Sequence, residues 1–123
     1  MTAALGGKAA TKDIYVKQGS DWGPYQFTLT DSNGDTVNLT GSDSFAGKVR
    51  ATEISSTVLA TFTFSVNTTT DTVSVSMSAT TSAAMTAVER ITRLRYDFEW
   101  TKASGVIDRI MQGNFILSAE VTR

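Results

Sequence analysis

Along much of the chain, apolar and polar residues alternate one by one. The clearest run is 91–100, ITRLRYDFEW, in which Leu94, Tyr96, Phe98 and Trp100 fall on one side and Arg93, Arg95, Asp97 and Glu99 on the other. Successive side chains of a strand point to opposite faces, whereas a helix would scatter these aromatics around its circumference. The same period sorts Tyr25, Phe27 and Leu29 from Gln26, Thr28 and Thr30 in 24–30. It also gathers Val58, Ala60, Phe62, Phe64 and Val66 in 58–66, and Val73, Val75 and Met77 in 72–78. Shorter runs at 13–18, 36–40, 45–51 and 105–118 predict further strands, with Gly113 marking a bulge or bend in the last. The single proline, Pro24, sits where a strand begins and a missing N–H is tolerated. One segment breaks the period: 79–89, ATTSAAMTAVE, predicts a short helix between two strands. Polar tracts at 66–72 and 101–105 predict hairpin turns. About seven to nine short strands, with turn signals roughly every 8–12 residues, define an all-β antiparallel sandwich or barrel.

The 123 residues fit one domain, read as an extended arm over 1–12 and a single domain over 13–123. The chain has no cysteine and no histidine, which removes disulfides, thiolate metal sites, a cysteine nucleophile and the commonest general base. Eleven Lys and Arg against 12 Asp and Glu leave a net charge of -1, without the basic excess of a nucleic-acid binder. The first residues, MTAALGGKAATK, lack the pattern of a signal peptide, and no apolar stretch nears the roughly 20 residues of a membrane span. No nucleic-acid or membrane partner and no cofactor is therefore expected.

The stretch DSNGD at 31–35 offers Asp31, Asn33 and Asp35 at the first spacings of a calcium loop. The glycine comes two positions early, however, and Ser42 stands where the closing glutamate belongs. Asn33-Gly34 between two alternating runs instead predicts a type I′ hairpin turn. Asp97 and Glu99 could serve as paired carboxylates, but Arg93 and Arg95 share their face, the mark of a solvated or subunit-facing ladder. Gly6-Gly7-Lys8 lacks the remainder of a phosphate loop. Trp22, in the turn-like GSDWGPY, could contact a sugar or a partner chain, or cap the end of the sandwich, and Tyr15 is a second aromatic of that kind.

Three segments in order, YVKQGSDWGPYQFTLTDSNGDTVNLTG, FAGKVRA and YDFEWTKASGVIDRIMQGNFILSAEVTR, resemble a class of small bacteriophage proteins. The shared features are a D-x-x-G-x-x-x-x-L-T-G turn, a following basic strand and a closing hairpin that begins Tyr-Asp-hydrophobic. The class is similar to the N-terminal domain of phage baseplate upper proteins. That resemblance implies an Ig-like β-sandwich, with 79–89 as a helical crossover, in a virion structural protein of the tail: baseplate, fibre-attachment adaptor or neck. It implies synthesis in the host cytoplasm, residence in the virion, and docking to other virion proteins and to copies of itself in a symmetric assembly. With no long helical or fibre-forming C-terminal extension, the chain is expected to be neither a complete fibre nor a complete baseplate upper protein. The residues expected to make contacts are Met1, Thr2, Leu5 and Lys8 of the arm, Tyr15, Trp22, and the Arg93, Arg95, Asp97 and Glu99 face. Two other expectations stay open: a capsid decoration protein and a host-glycan-binding module.

Overall fold

A computed structural model describes residues 10–31, 33–52, 54–85 and 91–119, together with the backbone of 2–4. The strands are β1 (Thr2–Ala4), β2 (Ala10–Thr11), β3 (Ile14–Lys17), β4 (Trp22–Thr30), β5 (Ser44–Arg50), β6 (Ala60–Thr61), β7 (Thr63–Asn67), β8 (Thr72–Met77), β9 (Ile91–Thr101) and β10 (Ile107–Ser118). One helix, α1 (Ala79–Ala84), starts at Ser78, whose hydroxyl accepts the Thr81 N–H as an N-cap.

These strands form two sheets. One runs β1-β4-β8-β7, and the other β2-β10-β9-β5-β6 with β3 also on β10. An immunoglobulin sandwich puts its first, second, fifth and fourth strands in one sheet and its third, sixth and seventh in the other. This chain does the same if β2 and β3 continue the first strand into the second sheet and β6 flanks the third. The expected Ig-like β-sandwich is what forms. Of the helix expected over 79–89, Ala79–Ala84 is helical, Met85 is already extended, and 86–89 lie outside the described residues. The departure is at the N-terminus. There β1 lies parallel to β4, and β2 and β3 lie parallel to β10, where antiparallel pairing was expected.

The core lies between the sheets and is built from the alternating positions. Phe27, Leu29, Val73, Val75 and Met77 from one sheet meet Val49, Phe98, Ile110, Met111, Phe115 and Leu117 from the other, all essentially inaccessible to water. Phe62 and Phe64 stand edge-on to Phe98 at 4.9 and 5.1 Å between ring centroids, an arrangement in which ring edges meet the negative faces. Gly47 of β5 makes that cluster possible, because a Cβ there would lie 2.7 Å from the Phe98 ring. In antibody domains a disulfide joins the second and sixth strands. Here the corresponding strands β4 and β9 are linked by Phe27 stacked on Phe98, with centroids 6.4 Å apart.

Four local expectations are corrected. The run 36–40 forms no strand; it joins the sheet by the bridge from Thr36 to Thr30. Leu39 is nevertheless buried, with its N–H held by the Asp71 carboxylate at 2.9 Å. Gly113 makes no bulge. The register slips between Arg109 and Met111, and Gly113 is glycine because a Cβ would sit 2.1 Å from the Lys12 carbonyl oxygen. Pro24 lies inside β4, where the ladder to β8 slips between Trp22 and Tyr25. The run 58–66 is not one strand: the chain leaves β6 in one sheet and enters β7 in the other across buried Phe62.

Candidate interaction surfaces

The outward side of β9 forms the centre of a charged face. Registry with β5 sets Lys48 beside Asp97 and Arg50 beside Arg95, and registry with β10 sets Arg109 beside Glu99, Gln112 beside Asp97 and Asn114 beside Arg95. Arg50 and Arg95 are like charges directly opposed across two strands, which destabilises a ladder. Asp97 offsets this: its carboxylate lies 3.3 Å from Arg109 Nε and 3.9 Å from Arg50 Nη1. Arg95 Nη1 donates to Asn114 Oδ1 at 2.7 Å. A pocket of about 80 Å³ opens among Lys48, Arg50, Arg95, Asp97 and Arg109. A shallower trough of about 470 Å³ adjoins it over Thr52, Ile54, Arg93 and Arg95. Four of the predicted contact residues, Arg93, Arg95, Asp97 and Glu99, thus share one face. The alternation identified them but gave no hint of Lys48, Arg50 and Arg109, because the sequence does not state which strands flank β9.

The opposite outer surface, on β4, β7 and β8, has no charged residue. Gln26, Thr28, Thr30, Ser65, Ser74 and Ser76 fill its outward positions, and the Gln26 amide donates to the Ser74 hydroxyl at 3.3 Å. Aspartates cluster instead in the connections at one end of the sandwich: Asp31, Asp35 and Asp43 between β4 and β5, and Asp71 between β7 and β8. Burial pushes the Asp43 carboxyl up. Hydrogen bonds outweigh it and hold the group below its ordinary value: from the Thr40 backbone, the Trp100 indole at 3.1 Å, the Thr40 hydroxyl and the Ala103 backbone.

Asp31, Asn33 and Asp35 form a turn. Asp31 Oδ1 accepts the N–H groups of Asn33 and Asp35 at 2.9 and 3.0 Å, and the Gly34 N–H closes onto the Asp31 carbonyl at 3.0 Å. The turn is not the expected one: the Gly34 N–H bond to the Asp31 carbonyl centres it on positions 32 and 33, one residue before an Asn33-Gly34 pair. Among the described residues no group of three or more Asp or Glu side chains is placed to hold a metal ion.

Tyr15 and Trp22 come together. With Lys12, Asp13 and Tyr25 they line a groove of about 310 Å³. Tyr15 is 68% exposed, whereas Trp22 is half-buried, with its ring 5.7 Å from Phe62 and 6.3 Å from Tyr25. Trp22 therefore closes that edge of the core and also forms a groove wall. The Tyr96 hydroxyl donates to the Lys12 carbonyl and anchors the break between β2 and β3; burial pushes its pKa well above the ordinary tyrosine value. Ser82, which the sequence reading passed over, is fully buried. It accepts the Gly19 N–H at 3.0 Å and bonds to the Ser20 carbonyl at 2.9 Å, tying α1 to the β3–β4 connection. Of the predicted arm contacts, Met1, Leu5 and Lys8 lie outside the described residues, and Thr2 is described only as backbone, opposite Thr28.

No family model and no curated protein matches the sequence. Among solved structures, that of murine CRIg aligns with 88% of this chain and 92% of its own at 8% identity, with a TM-score of 0.35. A likeness that distant carries no functional meaning; the Ig-like assignment stands on the strand order described above.

Proposed function

We propose that this chain is a non-enzymatic structural subunit of a bacteriophage virion, a tail component at the baseplate, the fibre attachment or the neck, working by protein–protein docking. The observation that carries the reading is the N-terminal segment. The backbone of Thr2–Ala4 pairs along the free edge of β4, opposite Thr28, Leu29 and Thr30. Edge pairing of this kind asks little of side chains and can be offered equally to a neighbouring chain. Symmetric repetition lets modest contacts per copy suffice. The resemblance to baseplate upper-protein domains points the same way, and a capsid decoration protein would use the same features. Removing residues 1–11 is expected to leave a folded domain, because β3 still pairs with β10 through Phe115–Ser118, and to abolish incorporation into particles. Normal incorporation of the truncated chain would refute the reading, and its position in a particle reconstruction separates tail from capsid.

A second reading, a host-glycan-binding module, is favoured by the groove that brings Tyr15 and Trp22 together. Aromatic walls with a few polar groups suit a sugar ring. Saturable binding to a glycan array that Tyr15→Ala removes would promote this reading; an array with no binding would end it.

A further inference from the structure

The charge of the molecule is not evenly spread. Among the described residues, Lys48, Arg50, Arg93, Arg95 and Arg109 share the outer face of β5, β9 and β10 with two acids, Asp97 and Glu99, although the whole chain carries -1. Four aspartates, Asp31, Asp35, Asp43 and Asp71, gather at the end of the sandwich holding the β4–β5, β7–β8 and β9–β10 connections. At that end Lys102 is matched by Asp108 at 2.9 Å and adds no net charge.

Each surface also carries exposed apolar side chains. Ile54, 95% exposed, borders the trough beside Arg93 and Arg95. Val106 and Ile107, 53% and 58% exposed, stand in and beside the β9–β10 turn at the acidic end. Charge alone would suit any polyanion. Charge with an apolar rim suits a folded polypeptide, where the apolar contact adds affinity and the charges set orientation and partner choice.

We propose that the acidic end of one copy docks on the cationic face of a second copy of this chain, with Val106 and Ile107 of the first meeting Ile54 of the second. Two different surfaces meet, so the contact is head-to-side and propagates into a ring or a filament. The inference rests on the assembly reading above and extends it to the partner and the surfaces used.

The test is sedimentation of the full chain over a concentration series at low and high salt. Self-association is expected at low salt and should weaken about tenfold or more in 0.5 M NaCl, since exposed charges are screened. Two double variants, Lys48→Glu/Arg93→Glu and Asp35→Lys/Ile107→Lys, avoid the aspartates that hold backbone turns. Each should be monomeric alone, and an equimolar mixture should associate, because each retains the surface that the other has lost. Circular dichroism confirms that both are folded, and single substitutions replace any double variant that is not. A wild-type chain that stays monomeric at low salt, or a mixture that fails to associate, overturns the proposal. So does a chain that binds a sulfated polysaccharide through Lys48 and Arg93 without self-associating. A monomeric chain that still enters particles sinks this contact and leaves the structural role standing. A self-associating chain absent from particles does the reverse.

Discussion

The two sheets bury the same kind of side chain on their inner sides and differ on their outer sides. On β4, β7 and β8 the outward positions are Thr, Ser, Gln and Asn without a single charge. On β5, β9 and β10 they include Lys48, Arg50, Arg93, Arg95, Asp97, Glu99 and Arg109. Folding asks only that outward positions tolerate water, and hydroxyls meet that demand as well as ion pairs do. The charged face is costlier to build, because Arg50 opposes Arg95 and needs Asp97 nearby. A surface that departs from the simpler solution available on the same molecule is the better candidate for contact with something else.

Substitutions probe how far that contrast extends. The largest effect belongs to what the sheets share. Phe98→Ala should cost about 3–5 kcal/mol, because Phe98 of one sheet packs on Phe27 and Phe64 of the other and on Phe62 between them. Chemical denaturation should show an undiminished slope and a much lower midpoint. A loss below about 1 kcal/mol would mean that the sheets do not share one core.

Next comes the edge of the charged sheet. Gly113→Ala should cost about 1–3 kcal/mol, since the new methyl group meets the Lys12 carbonyl and pushes β2 and β3 outward. Amide hydrogen exchange at Lys12, which donates to the Gln112 carbonyl at 3.0 Å, should accelerate more than exchange within β8. Equal acceleration in both sheets would contradict a local effect.

The smallest effects test the outer faces directly. Ser74→Ala on the uncharged face should change stability by no more than about 0.5 kcal/mol at any salt concentration. Asp97→Asn should cost up to about 1 kcal/mol at low salt, since it leaves Arg50 and Arg95 opposed, and that cost should shrink as salt screens them. Identical salt responses in the two variants would erase the distinction between the faces.

Much of this architecture was legible where one residue's surroundings settle its side. In 91–100 each aromatic had to be inward if each charge was outward, and β9 follows that rule. The run 36–40 carried the same alternation and misled, because Leu39 is anchored by a side-chain bond from Asp71, 32 positions away, rather than by a ladder. Gly113 was noticed for the wrong reason, since the approaching backbone belongs to Lys12. The parallel pairing of β1, β2 and β3 depends on partners about 26 and 101 positions along the chain, and no local pattern encodes such distances. For the charged face the alternation supplied one row of three, and the register supplied the other two. Ser82 gave no signal at all, because a serine in a short helix looks the same whether it faces water or closes a buried turn.

The Phe27–Phe98 stack has a consequence for where such a domain can work. An immunoglobulin sandwich pinned by a sulfur bridge changes stability with the redox state around it. A sandwich pinned by two stacked rings does not. The same fold can mature among thiols or in an oxidising medium without a thiol oxidase or a disulfide isomerase to attend it.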